Sequence, residues 1–208
     1  MNAQTERLRL AGGAGAIEAL RDTPPDGMPW RGIAVIAHPH PLFGGTMDNK
    51  VVQTLARAFV QCGWTAIRFN FRGVGGSEGA HDGGAGEVED MISLVGQVAP
   101  AGPLGLAGFS FGSFVASQVA ARMWAQRPVD QLVLVGTAAS RFSVATLPPE
   151  AHERTLVIHG EQDDTVPLSA VFDWARPQSL PVTVVPGGGH FFHGQLPLLK
   201  SLVVRHLR

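Results

Sequence analysis

Gly108-Phe109-Ser110-Phe111-Gly112 is the stretch whose residue types and spacing speak most directly of chemistry. A serine with a glycine two residues away on each side suits a sharp turn from a buried strand into a helix. In such a turn the serine backbone is strained, and the glycines leave room for the bend and for close strand–helix packing. The hydroxyl is then held at a helix N-terminus, where the dipole and unpaired N–H groups favour developing negative charge. The competing reading is a glycine-rich turn with an incidental serine. The flanks favour the first: an apolar run, Leu104–Phe109, leads in, and a small-residue helical pattern, Phe111–Ala125, leads out.

A serine is a poor nucleophile until a base takes its proton. Gly187-Gly188-Gly189-His190 supplies a candidate just after the last predicted strand, where glycines let a histidine swing over the ends of a sheet. His193 competes, and His206 reads as a surface residue of a terminal helix. An acid must then hold the imidazole. Glu161, Asp163 and Asp164 follow the strand before the last, at a carboxyl end where open α/β sheets place their sites. The other strand end available, Gly136–Ser140, is followed by no acid until Glu150. Each acid alone reads as a solvated turn residue. Together with Ser110 and His190 they complete a chain order, Ser then Asp then His, that is known for such triads.

The elements that must position these residues alternate along the chain. Glu6–Leu10 and Ala16–Arg21 read as a hairpin around Ala11-Gly12-Gly13. Gly32–Ala37, Thr65–Phe71, Leu104–Phe109, Gln131–Gly136, Thr155–His159 and Val182–Val185 read as strands, several of them uninterrupted apolar runs. Helical spacing runs from Asp48 and Asn49 to Gly63, over Glu87–Val98, over Phe111–Ala125, around Val171–Ala175, and from about Pro197 to Leu207. This alternation implies an α/β fold with a mostly parallel central sheet and helices on both faces, as one domain over residues 1–208.

Bulk properties remove several function classes. The chain has 208 residues, and 45% hydrophobic against 16% charged residues is a globular rather than a disordered balance. A net charge of −1 with scattered basic residues gives no electrostatic case for nucleic acid or an anionic membrane. The lone Cys62 fits a reducing compartment, and the N-terminal stretch MNAQTERLRLAGG lacks the apolar core of a secretory signal, so a cytoplasmic location is expected. Residues 91–121 carry no charge, but Pro100, Gly102, Pro103, Gly105, Gly108 and Gly112 break them up, so they do not read as a membrane span.

With these residues in view, the chain resembles an α/β-hydrolase over essentially its whole length, and is similar to the small bacterial branch without a lid. The matching stretches are HPHPLFGGTMDNKVV from His38, RFNFRGVGGSEG from Arg68, GFSFGS from Gly108, HGEQDDTVP from His159 and GGGHFFHG from Gly187. The resemblance puts Ser110, Asp163 and His190 on the nucleophile, acid and base positions, selecting Asp163 over Asp164 and His190 over His193. The Ser140–Arg154 connection is too short for the cap domain that many relatives insert. The oxyanion donors would be the Phe111 N–H and one from the loop after Gly32–Ala37. Pro39 and Pro41 have no N–H, which leaves His40 or Leu42, and relatives favour His40. Arg72 resembles a loop-ordering arginine; Asn49 and Lys50 read as helix-start residues, with a place in the site's lining as the lesser alternative.

The implied activity is hydrolysis of a small ester or thioester without a cofactor or metal, the substrate being the only partner expected. Phe43, Phe142 and Phe191 are candidate pocket walls, and Phe109 reads as core. Three alternatives compete: amide or carbon–carbon bond cleavage on the same triad, a fold member without catalysis, and a metal-dependent hydrolase using His38, His40, His190 or His193. No Cys or Glu set accompanies those histidines. The sequence leaves the oligomeric state open.

Overall fold

A computed structural model describes residues 5–208. Met1–Gln4, the start of the stretch read above for a secretory signal, lie outside the described residues. The strands are β1 (Thr5–Gly12), β2 (Gly15–Asp22), β3 (Gly32–Ala37), β4 (Trp64–Phe69), β5 (Leu104–Phe109), β6 (Gln131–Val135), β7 (Thr155–Gly160) and β8 (Val182–Val185). The helices are α1 (Lys50–Gln61), α2 (Ala85–Val98), α3 (Phe111–Met123), α4 (Leu168–Ala175) and α5 (Leu196–His206). The strands form one eight-stranded sheet in the order β1-β2-β4-β3-β5-β6-β7-β8. The β1–β2 hairpin joins β4 antiparallel, and every later pairing is parallel.

The apolar central strands follow from burial on both faces. Along β3, Val35 and Ala37 enter one core while Ala34 and Ile36 enter the other. On β6, Leu132 and Leu134 alternate with Val133 and Val135 in the same way. The first core is closed by α2, α3 and α4, through residues such as Met91, Val115 and Val171. The second is closed by α1 and α5, through Leu55, Phe59, Leu199 and Val203. These helices cover both faces of the parallel strands, and the loops that hold the candidate site residues leave from the strands' carboxyl ends.

Two boundaries differ from the pattern. β4 stops at Phe69, because the Phe71 N–H turns out of the ladder and donates to His38 Nε2 at 3.0 Å. After β3 the chain makes a short 3₁₀ turn at Pro41–Phe43, which periodicity does not signal. Residues 140–154 hold only an irregular stretch and a 3₁₀ turn, Pro149–Arg154, so no cap domain interrupts the fold. Among the described residues no helix is long and apolar enough to cross a membrane.

Candidate active site

Ser110 sits between β5 and α3 with φ 56° and ψ −117°, a region that a side-chain-bearing residue enters only under strain of about 1–3 kcal/mol. The elbow holds because its glycines let backbones touch. A Cβ on Gly108 would lie 2.1 Å from the Gly112 carbonyl oxygen, and one on Gly112 would lie 2.3 Å from that of Ala37. The second approach also sets the loop after β3 directly beside the first turn of α3.

His190 and Asp163 arrive from the ends of β8 and β7. The Ser110 hydroxyl lies 3.0 Å from His190 Nε2, and His190 Nδ1 lies 2.7 Å from Asp163 Oδ2. With Nδ1–H donating to the carboxylate, Nε2 is the acceptor that a serine proton needs. The other Asp163 oxygen accepts the Val166 N–H at 2.7 Å and the Thr165 N–H at 3.0 Å. Burial works to raise the Asp163 carboxyl. The bonds from His190 and Val166, with neighbouring histidine charge, outweigh it and hold the group below the usual aspartate range. Asp164 is exposed and among the described residues bonds through its side chain only to Thr165, and the exposed His193 packs its ring on Phe191.

The loop after β3 is fixed by His38. Its Nδ1–H donates to the Pro39 carbonyl at 2.6 Å and its Nε2 accepts from Phe71, so neither ring nitrogen is free. Burial drives its pKa down to about 4, which keeps it neutral. The Leu42 N–H is spent on His40 Nδ1 at 3.2 Å, whereas the Phe111 and His40 N–H groups have no acceptor among the described residues.

A cavity of about 390 Å³ opens above Ser110, lined among others by His40, Phe43, Phe111, Phe142 and Val166. Phe191 is outside it, half exposed, with its ring against His190 and Phe109. Phe109 is fully buried and backs the His190 ring at 4.9 Å. A second cavity of about 460 Å³, lined by Asp22, Asp48, Arg57 and Arg68, contains no hydroxyl–base pair, and Arg68 is there bonded to both aspartates.

Asn49 caps α1 through the Val51 N–H, and Lys50 begins that helix exposed. Arg72 binds Asp90 at 2.8 Å, Asp82 at 3.2 Å and the Gly86 carbonyl at 2.9 Å, which orders its loop. His206 departs from its surface reading: it is half-buried and meets the Arg154 carbonyl at 3.3 Å. Three residues near the site escape sequence reasoning. His159 lies under Asp163, its Nε2 2.9 Å from the Val166 carbonyl and 3.4 Å from Asp163 Oδ2. His81 packs on His40 and Phe111, and Arg141 lines the cavity. His159 carried one signal, being the last side chain before the strand-ending Gly160. His81 and Arg141 carried none. Among the described residues no cluster of three or more His, Cys, Asp or Glu side chains is arranged to hold a metal.

The fold agrees with what known proteins show. The sequence profile described as "alpha/beta hydrolase fold" matches residues 40–154. The chain belongs to that family and is a hydrolase. It is 31% identical over 175 residues to an uncharacterized protein of Rickettsia prowazekii (strain Madrid E), covering 77% of this chain and 71% of that one. Among solved structures it resembles a Xanthomonas campestris α/β serine hydrolase without a lid, with 33% identity, a TM-score of 0.87, and 100% and 95% of the two chains covered. It also resembles an α/β serine hydrolase homologue from Coxiella burnetii, with 39% identity, a TM-score of 0.82, and 98% and 97% covered.

Proposed function

We propose that the protein hydrolyses small carboxylic esters or thioesters through a covalent acyl-enzyme on Ser110. The observation that carries this is the continuous line from Asp163 Oδ2 through both nitrogens of His190 to the Ser110 hydroxyl, at 2.7 and 3.0 Å. Ser110 Oγ attacks the carbonyl carbon as its proton passes to His190 Nε2, and Asp163 stabilises the imidazolium. The oxyanion takes N–H bonds from Phe111 and His40; the spent Leu42 N–H favours His40 over Leu42. Each such donor is worth about 3–4 kcal/mol in the transition state. Collapse expels the alcohol or thiol, which takes its proton from His190. Water then attacks the acyl-enzyme with His190 again as base, releasing the acid and restoring Ser110. The reading requires no cofactor.

A direct test is p-nitrophenyl acetate turnover with acid quenching and intact mass. The expected result is a burst and a single acetyl adduct mapped to Ser110. Chelator-sensitive turnover that survives Ser110→Ala, or folded protein that turns over no ester, would defeat the reading.

A further inference from the structure

The substrate class follows from which groups line the cavity above Ser110 and which do not. Ser110, Phe111 and His40 line it, but His190 does not. In the reaction above, the leaving group must sit beside His190 Nε2, which protonates it. The oxyanion faces Phe111 and His40. The substituent left to fill the cavity is therefore the acyl group. At about 390 Å³ the space suits a short acyl chain or one ring.

Its walls are largely apolar, from Phe43, Phe111, Ala138, Phe142 and Val166, with one permanently charged side chain among them, the exposed Arg141. Arg141 is anchored through its backbone, its N–H donating to the Ala138 carbonyl at 3.1 Å. Its guanidinium has neither an ion pair nor a hydrogen bond among the described residues. That is unlike Arg68 and Arg72, whose guanidiniums are tied to carboxylates. Burial and the neighbouring His81 lower the pKa of His40, the other basic side chain of the lining, and its Nδ1 is occupied by the Leu42 N–H. A guanidinium offers paired N–H donors that match a carboxylate in geometry and charge.

We propose that this cavity binds acyl groups ending in a carboxylate, so that the preferred substrates are hemiesters of short dicarboxylic acids, with Arg141 holding the distal carboxylate. The proposal rests on the serine-esterase reading above and adds a specificity-determining residue to it.

The test compares monomethyl succinate, glutarate and adipate with the methyl esters of the matching acid monoamides, in which a neutral carboxamide replaces the distal carboxylate. The readout is the ratio of kcat/KM within each pair. In wild type the hemiester should be favoured by about tenfold or more for at least one chain length. That ratio should shrink as salt rises from about 0.02 to 0.5 M, since screening weakens the pair. Arg141→Gln should bring the ratio to near one, and Arg141→Lys should restore part of it. Arg176→Gln, whose arginine pairs with Asp173 outside the lining, is the control and should leave it unmoved. A wild-type ratio near or below one, or a ratio that Arg141→Gln leaves unchanged, overturns the proposal while ester turnover itself keeps the esterase reading. Absence of turnover of any ester overturns both.

Discussion

Two carboxylate–histidine pairs of identical contact length lie near Ser110, and they have different fates. Asp163 meets His190 Nδ1 at 2.7 Å, and Glu87 meets His81 Nδ1 at 2.7 Å. His190 continues to a hydroxyl. The ring of His81 packs on the rings of His40 and Phe111, and among the described residues it meets no hydroxyl. Their electrostatics also diverge. Asp163 is held below its usual range despite burial, whereas burial first, and the Asp82 carboxylate second, push Glu87 above it. The other bonds of Glu87 go to the Gly84 and Asp82 N–H groups, at 2.9 and 3.3 Å, so it closes the start of α2. A carboxylate–histidine pair is thus no site by itself. One of these pairs continues to a hydroxyl on a strained elbow, and the other closes the start of a helix.

The sharpest way to break this contrast is to remove the two acids in turn. Asp163→Asn should lower kcat by about 10⁴, because the imidazole loses its tautomer and its counter-charge. Glu87→Gln should lower it by less than about tenfold. Steady-state ester kinetics on both variants decide; equal losses would erase the distinction.

A third histidine, His38, extends the comparison to a ring with no carboxylate. Its folded pKa of about 4 lies below an unfolded value of about 6.5. The unfolded state therefore takes up the proton first, and stability present above pH 6.5 is lost as pH falls toward 4. Between pH 7.5 and 4.5 this contribution is about 2–3 kcal/mol. Urea unfolding of His38→Gln should show an acid-induced loss smaller than wild type by that amount; matching losses would contradict the buried, neutral assignment.

Smaller effects follow. Glu87→Gln should cost about 1–2 kcal/mol of unfolding free energy by denaturation, since one oxygen replaces two as acceptor for three donors. Asp164→Asn should change kcat/KM by less than about twofold, because a lost exposed contact of this kind is weak. A drop approaching that of Asp163→Asn would mean the wrong aspartate had been placed in the triad.

What the sequence made legible in this comparison was local. The elbow pattern carries its own context within a few residues of Ser110, and the apolar runs of β3, β5 and β6 follow from burial on both faces. The meeting of Asp163 and His190 beside Ser110 was readable because each follows a strand at a sheet end. The 3₁₀ turn at Pro41–Phe43 and the early end of β4 were not, since each is set by a histidine side chain bonding to backbone, His40 to the Leu42 N–H in the first and His38 to the Phe71 N–H, 33 residues away, in the second. His81 and Arg141 were invisible for a related reason. Their neighbours, His40 and the Ser110 cavity, lie far along the chain, and neither residue falls in a periodic pattern. The proposed preference for His40 over Leu42 as an oxyanion donor rests on one bond, from the Leu42 N–H to His40 Nδ1, that no spacing encodes.

The central claim is that His190, not His81, activates Ser110. Its most direct test is fluorophosphonate labelling of wild type, His190→Ala and His81→Ala, with the adduct mapped by mass spectrometry and folding checked by circular dichroism. A Ser110 adduct is expected in wild type and in His81→Ala, and its loss in His190→Ala. Undiminished labelling of folded His190→Ala, or loss of labelling in folded His81→Ala, would contradict it.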